Sequence, residues 1–198
     1  MTIQGVKPLA EIFGSGVRLA GIAALVVGAL ATIDQLTRSR IVHNQQRALV
    51  ASLVELTGDS RIGAIPLESP LPVYLHLCAA SSTRYQIIRA TAAGYAGAIE
   101  LTIALSADEQ ILGVRVTHHT ETPGLGDAME IGKSDWIHQL AGWPRATTIS
   151  PRWSVRQDGG EFDAMTGATI TSRAILRGVR EALAGLPAPS ELTCTPLI

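Results

Sequence analysis

Residues Ile99-Glu100-Leu101-Thr102-Ile103-Ala104-Leu105, Ser106-Ala107-Asp108-Glu109-Gln110 and Ile111-Leu112-Gly113-Val114-Arg115-Val116-Thr117 decide the fold. Two runs rich in branched apolar side chains flank a polar segment, which reads as an antiparallel hairpin. Working upstream, Gly94-Tyr95-Ala96-Gly97 is another turn, residues 85–92 a further strand, and residues 73–79 a strand before it. Working downstream, residues 134–140 read as a short helix capped by Ser134. Residues 170–183 read as an amphipathic helix. Its Ile175, Leu176, Val179 and Leu183 point inward, and Arg173, Arg177 and Arg180 point outward. Strands first and a helix last predict an α+β domain, with a small antiparallel sheet and flanking helices.

The N-terminal part differs in character. Residues 19–33 read LAGIAALVVGALATI, without a charge. Extended to residues 17–36, the stretch approaches the ~20 residues that a membrane-spanning helix needs. Ala29-Leu30-Ala31 has the small-x-small form of a leader cleavage site. The long segment before the apolar run and the helical pattern after it favour an uncleaved anchor. That pattern places Ile41, Val42, Leu49, Val50, Leu53, Val54 and Leu56 at helical spacing up to a stop at Gly58. Pro66, Pro70 and Pro72 mark a connector. The expected organisation is residues 1–36 with the anchor at 17–36, residues 37–72 as helical extension and connector, residues 73–186 as the folded domain, and residues 187–198 as a tail. Lys7 and Arg18 precede the span while Arg38, Arg40 and Arg47 follow it, so basic-residue counting does not fix its orientation.

The 198 residues carry 17% charged and 46% hydrophobic side chains, and mean hydropathy is +0.25. Such a chain buries apolar surface in a core or in lipid and is not disordered. A net charge of -1 gives no electrostatic footprint for nucleic acid. Two cysteines, Cys78 and Cys194, exclude a disulfide scaffold, a four-cysteine zinc site and an iron–sulfur cluster held by this chain alone. The apolar run around Cys78 favours a buried free thiol over a Cys78–Cys194 disulfide.

Two segments carry chemistry. In His118-His119-Thr120-Glu121-Thr122-Pro123-Gly124-Leu125-Gly126-Asp127 the adjacent histidines invite a metal. Neighbours on a strand point to opposite faces, so the expectation is no metal site. Pro123 to Gly126 form a tight turn whose glycines let backbone N–H groups approach a ligand. The second segment is Asp163-Ala164-Met165-Thr166-Gly167-Ala168-Thr169-Ile170-Thr171-Ser172. One hydroxyl suffices to cap a helix, and this stretch carries four, with Gly167 and Ala168 among them. A helix N-terminus is also a natural phosphate site.

Asp163-x-x-Thr166-Gly167-Ala168-Thr169 matches the flavinylation motif of the FMN-binding domain family, and Glu121-Thr122-Pro123-Gly124-Leu125-Gly126 matches its second hallmark. With the anchor and the length, the chain resembles the family of G subunits of Rnf (Rsx) ion-translocating oxidoreductase complexes. The resemblance implies FMN held by a phosphoester to Thr169, attached from FAD by a flavin transferase of the ApbE type. Glu121 to Gly126 would line the flavin, with Asp163, Thr166, Gly167 and Ala168 forming the attachment loop. Arg173 lies on the helical face of Thr169 and could pair with the phosphate; the alternative is a solvated surface arginine. No general acid–base pair is expected in the chain. The resemblance also implies the other subunits of the complex as partners. It implies electron transfer between ferredoxin and NAD coupled to ion movement, and a single-pass inner-membrane location with the C-terminal domain periplasmic. The alternatives are a membrane FMN protein of regulation or maturation, or a cofactor-free membrane anchor.

Overall fold

The computed structural model describes residues 9–64, 73–79, 82–186 and 194–197. Helix α1 (Leu9–Thr57) has 49 residues and runs unbroken across Ala29-Leu30-Ala31. Within it, Gly16–Arg38 is long and apolar enough to cross a membrane, with mean hydropathy 2.0 and none of its apolar window buried in protein. Its side chains Leu19, Ile22, Leu25, Val27 and Leu30 stand exposed. Lipid would replace water around them. Three polar side chains of this helix are paired within it: Thr32 donates to the Gly28 carbonyl at 2.8 Å, Thr37 to that of Ile33 at 2.6 Å, and Arg38 meets Asp34 at 3.1 Å. Such internal bonds make hydroxyls tolerable near hydrocarbon.

The chain divides into two compact units, residues 1–45 and 46–198. In the second, the end of α1 lies against a sheet. Gly58, at φ 67°, ends the helix, and its N–H reaches the Val54 carbonyl at 2.8 Å. A 3₁₀ turn (Ser60–Ala64) follows and inserts Ile62. The Arg61 guanidinium beside Asp59 holds that carboxyl down at about 2. Residues 65–72 of the expected connector lie outside the described residues.

The sheet is built from β1 (Tyr74–Ala79), β2 (Ser82–Ala93), β3 (Ala98–Ser106) and β4 (Ile111–His118), each antiparallel to the next. The expected hairpin is β3–β4, with Ile103 opposite Val114. Helix α2 (Thr169–Ala184) crosses one face and buries Ile175, Leu176, Val179 and Leu183 against Ile88, Ile99, Leu101 and Ile103. On the other face Leu53, Leu56 and Ile62 meet Leu75, Leu77, Ile87 and Ala104. Both faces of β3 are therefore buried, and its run from Leu101 to Leu105 is almost continuously apolar for that reason.

Two expectations are corrected here. The sheet is mixed, because β5 (Cys194–Pro196) pairs parallel to β1 and gives the order β4-β3-β2-β1-β5. Part of the expected tail is thus a strand. The cysteines are not free: Cys78 and Cys194 form a disulfide, their Cα atoms 5.8 Å apart. The return of the chain end to β1, with His76 opposite Cys194, brings them together. This non-local pairing leaves no local pattern in the sequence. Thiol titration in denaturant without reductant should find no reactive thiol; two would show the bond absent.

Smaller differences concern the segment between β4 and α2, and α2 itself. The expected helix at residues 134–140 is a 3₁₀ segment (Trp136–Leu140), with Ser134 accepting the Trp136 N–H at 3.1 Å. Arg180, expected outward, is half-buried and donates to the Thr148 and Trp153 carbonyls.

Candidate functional site

The loop before α2 is held by its neighbours. Gln139 accepts the Asp163 N–H at 2.8 Å, and both Gln139 and Trp136 donate to the Asp163 carbonyl. The Asp163 side chain itself is exposed and meets Arg156 at 2.9 Å. Gly167 turns the chain at φ 76°, a conformation that favours glycine. Ser172 then ties the loop to the helix: its hydroxyl accepts the Met165 N–H at 3.0 Å and donates to the Ala168 carbonyl at 3.1 Å. Ala168 occupies the N-cap position and makes no side-chain cap bond. The hydroxyls here do something other than cap.

Thr169 opens α2 and is half-buried, while Thr166 and Gly167 are exposed and Ala168 is buried. Among the described residues, the Thr169 hydroxyl has no protein partner. The N–H groups of Thr169, Ile170 and Thr171 likewise donate to no protein group. Unpaired donors of this kind, aimed along a helix axis, suit an anion.

Glu121 connects this helix start to the sheet. It is buried at 4% exposure. One carboxyl oxygen accepts the Ala96 N–H at 2.8 Å in the β2–β3 turn; the other receives the hydroxyl of Thr171. A Cβ on Gly94 would stand 2.4 Å from Glu121 Oε1, and one on Gly126 2.8 Å from Glu121 Cβ. Both glycines therefore make room for this side chain. Glu121 acts as a strut between three segments. Thr171 is buried and belongs to it.

The turn after Glu121 is closed by the N–H groups of Leu125 and Gly126, which both reach the Thr122 carbonyl. Gly124 has φ 80° and open space about it, so glycine is required there by the backbone. Gly126 is required by packing. Of the two glycines, Gly124 leaves its surroundings open and Gly126 makes room for Glu121. The Lys133 ammonium, 2.8 Å away, and the Gly124 N–H hold the Asp127 carboxyl below the usual range. Lys133 and then His119 do the same to Glu130. His119 accepts the Glu121 N–H at Nδ1 (3.1 Å), so its Nε2 carries the proton and donates to Glu130 at 2.8 Å. His118 is exposed. The two histidines thus have separate surroundings.

The structure brings the two sequence segments together. A Cβ on Gly167 would meet Leu125 Cδ2 at 2.8 Å, and Thr171 meets Glu121. Pro123 and Thr122 stand in the same turn. Arg173 has another partner: its guanidinium makes two 2.7 Å bonds to the Asp158 carboxyl, which it holds below the usual range. A phosphate at Thr169 would compete with Asp158 for it. Sequence reasoning missed Gln139 and Trp136 as supports, since each acts through the backbone of a segment distant in the chain, and His119, which accepts the Glu121 N–H two residues on. The residues fit FMN: a half-buried free hydroxyl, unpaired N–H groups beside it, and a side-chain-free position at Gly167.

The family model described as FMN-binding domain matches residues 94–184, and that described as RnfG N-terminal region matches residues 1–56. The G subunit of the ion-translocating oxidoreductase complex of Pseudomonas aeruginosa (strain UCBPP-PA14) is 36% identical, covering 90% of each chain. The G subunit of the complex of the same name from Shewanella baltica (strain OS223) is 33% identical, over 85% of this chain and 86% of the relative. That from Cereibacter sphaeroides (strain ATCC 17029 / ATH 2.4.9) is 40% identical, over 78% and 74%. A solved C subunit of a Na(+)-translocating NADH-quinone reductase from Parabacteroides distasonis is 25% identical with a TM-score of 0.41, covering 52% of this chain and 55% of that one. With both family models matched in order along it, and relatives alike over most of its length, this chain belongs to the family of G subunits of ion-translocating oxidoreductase complexes.

Proposed function

We propose that this chain is the membrane-anchored flavoprotein member of an Rnf-type ion-translocating oxidoreductase complex, carrying FMN as a phosphoester on Thr169. The observation that carries the reading is the placement of Thr169: a half-buried, unpartnered hydroxyl at the start of α2, beside free N–H groups, inside the FMN-binding match. A flavin transferase of the ApbE type would take FAD as donor. The threonine oxygen attacks the phosphorus on the flavin side, the pyrophosphate bond breaks, AMP leaves, and the hydroxyl proton is lost to solvent. Thr166, Gly167 and Asp163 are exposed, as access for such an enzyme requires. The resulting phosphodiester keeps a negative charge, and the first turn of α2 stabilises it by about 0.3–1 kcal/mol through the helix dipole. The turn from Glu121 to Gly126 lies beside the loop and is assigned to the flavin's surroundings, and Ala168, which precedes the attachment residue, is buried. Bound FMN supplies reversible electron carriage, relayed within the complex between ferredoxin and NAD.

The organisation proposed is an anchor within residues 1–36, an extension to residue 72, the FMN-binding domain to residue 186 and a short tail. The folded domain is assigned to the periplasmic side of the inner membrane. The Cys78–Cys194 disulfide supports that side, since such bonds persist in oxidising compartments. Alkaline phosphatase fused after Leu186 should be active and a cytoplasm-active reporter inactive; the reverse would overturn the orientation. The attachment reading is tested by a denaturing gel under ultraviolet light. The full chain co-expressed with the transferase should give a fluorescent band, and a dark band contradicts covalent FMN and favours a cofactor-free anchor.

A further inference from the structure

Strand β4 ends the sheet, so one of its sides faces no strand. At its start that side is covered: Ile111 donates its N–H to the Trp143 carbonyl at 2.9 Å and accepts the Gly142 N–H at 2.7 Å. Beyond Ile111, among the described residues, β4 makes no main-chain bond outside its pairing with β3. The register continues as Ala104↔Gly113, Ile103↔Val114, Thr102↔Arg115 and Leu101↔Val116. Antiparallel pairs alternate between groups turned towards the partner strand and groups turned away. Ile111, opposite Leu105, faces away, so Val114 and Val116 face away as well. The Val114 carbonyl accepts the guanidinium of its own neighbour, Arg115, at 2.9 Å. An edge with main-chain groups left open is a template for another strand.

A cleft of about 500 Å³ adjoins this edge, and Glu55, Arg115, Val116, His118 and Ile131 are in its lining. Val116 and Ile131 are half-buried and pack on the core beneath α2. Arg115, next to Val116 on the strand, points to the opposite face and meets Glu55 at 3.0 Å. It is only 8% exposed, and its Nε is buried without a partner. A buried charged donor lacking an acceptor is costly, and an incoming oxygen at the cleft would relieve it. The cleft thus offers open main-chain groups, an apolar side and an unused cationic donor. That combination suits an extended peptide: main-chain bonds supply affinity and alternate side chains supply specificity. We propose that the β4 edge from Val114 to His118 docks an extended segment of another subunit of the complex, added to the sheet as a strand. Its side chains alternate between apolar groups towards Val116 and Ile131 and an oxygen acceptor towards Arg115. This rests on the reading above that the chain works within a multi-subunit complex.

The test is photo-cross-linking in the assembled complex, isolated in detergent with the full chain carrying p-benzoylphenylalanine in place of His118. That side chain is exposed and, among the described residues, makes no hydrogen bond or ion pair. Irradiation should join it to one short contiguous segment of another subunit, located by mass spectrometry of the digested product. Val116→Pro removes an outward N–H at an edge position, where proline is tolerated, and should lower the cross-link yield several-fold. Ile131→Ser strips apolar surface from the cleft without touching the strand and should lower the yield in the same direction. Thermal melts of the two variant chains show which of them keeps the wild-type fold, and that variant's yield is the one compared. Cross-links confined to this chain, or to a second copy of it, would overturn the proposal. So would no cross-link in a complex that holds together, or an undiminished yield in the folded variant. A chain that isolates with no other subunit would defeat the complex reading itself, and the composition of the preparation before irradiation distinguishes that failure.

Discussion

Thr169→Ala should give a folded, membrane-anchored protein with no flavin on the denatured chain, whatever the level of transferase. The substitution removes the one atom that the account assigns to the bond. It costs the fold little: the Thr169 hydroxyl has no protein partner among the described residues, and alanine is the best helix former at a first-turn position. Thr169→Ser keeps a hydroxyl at the same place and should restore attachment. The pair separates chemistry from folding, because a merely structural threonine would give partial effects in both variants. Covalent flavin persisting on Thr169→Ala would show that another hydroxyl, such as Thr166, is the acceptor.

The second large effect is expected at the Glu121 strut. Thr171→Val preserves shape but removes a donor from a buried carboxyl, and should destabilise the domain by about 1.5–3 kcal/mol. Glu121→Leu leaves the Ala96 N–H and the Thr171 hydroxyl without their acceptor and should cost about 3 kcal/mol or more. For a unit of this size, losses of that order lower Tm by roughly 4–12 °C. Glu121→Gln retains an acceptor for Ala96 and should fall between wild type and Glu121→Leu. Thermal melts of the three variants measure this. A Thr171→Val protein that melts with wild type would reduce Thr171 to an ordinary first-turn residue, whose cost as a cap would be only about 1 kcal/mol.

That contrast shows what the sequence made legible. The hairpin from Ile99 to Thr117 and the helix from Ile170 to Leu183 were readable because their apolar periodicities are local. So was the N-terminal helix whose Gly16–Arg38 stretch is long and apolar enough to cross a membrane, since an uncharged run is a local signal too. The two site segments were found separately by residue type. Their contact through Glu121 and Thr171, 50 residues apart, was not, because no local pattern encodes a pairing at that distance. The same reason hid β5 and the disulfide, where a strand of three residues joins the sheet after a separation of 116 residues between the cysteines. Arg173 has a partner of the same kind: helical spacing places it on the face of Thr169, and its guanidinium pairs with Asp158, 15 residues earlier in the 3₁₀ segment Arg156–Asp158, which no helical pattern encodes.

The central claim is that FMN is joined to Thr169, and intact mass of the denatured full chain co-expressed with the transferase tests it most directly. The account predicts a mass above that of the sequence by one FMN less one water. Fragmentation of the tryptic peptide from Gln157 to Arg173 should place that addition on Thr169. An unmodified mass, or the same addition placed on Thr166, Thr171 or Ser172, would contradict it.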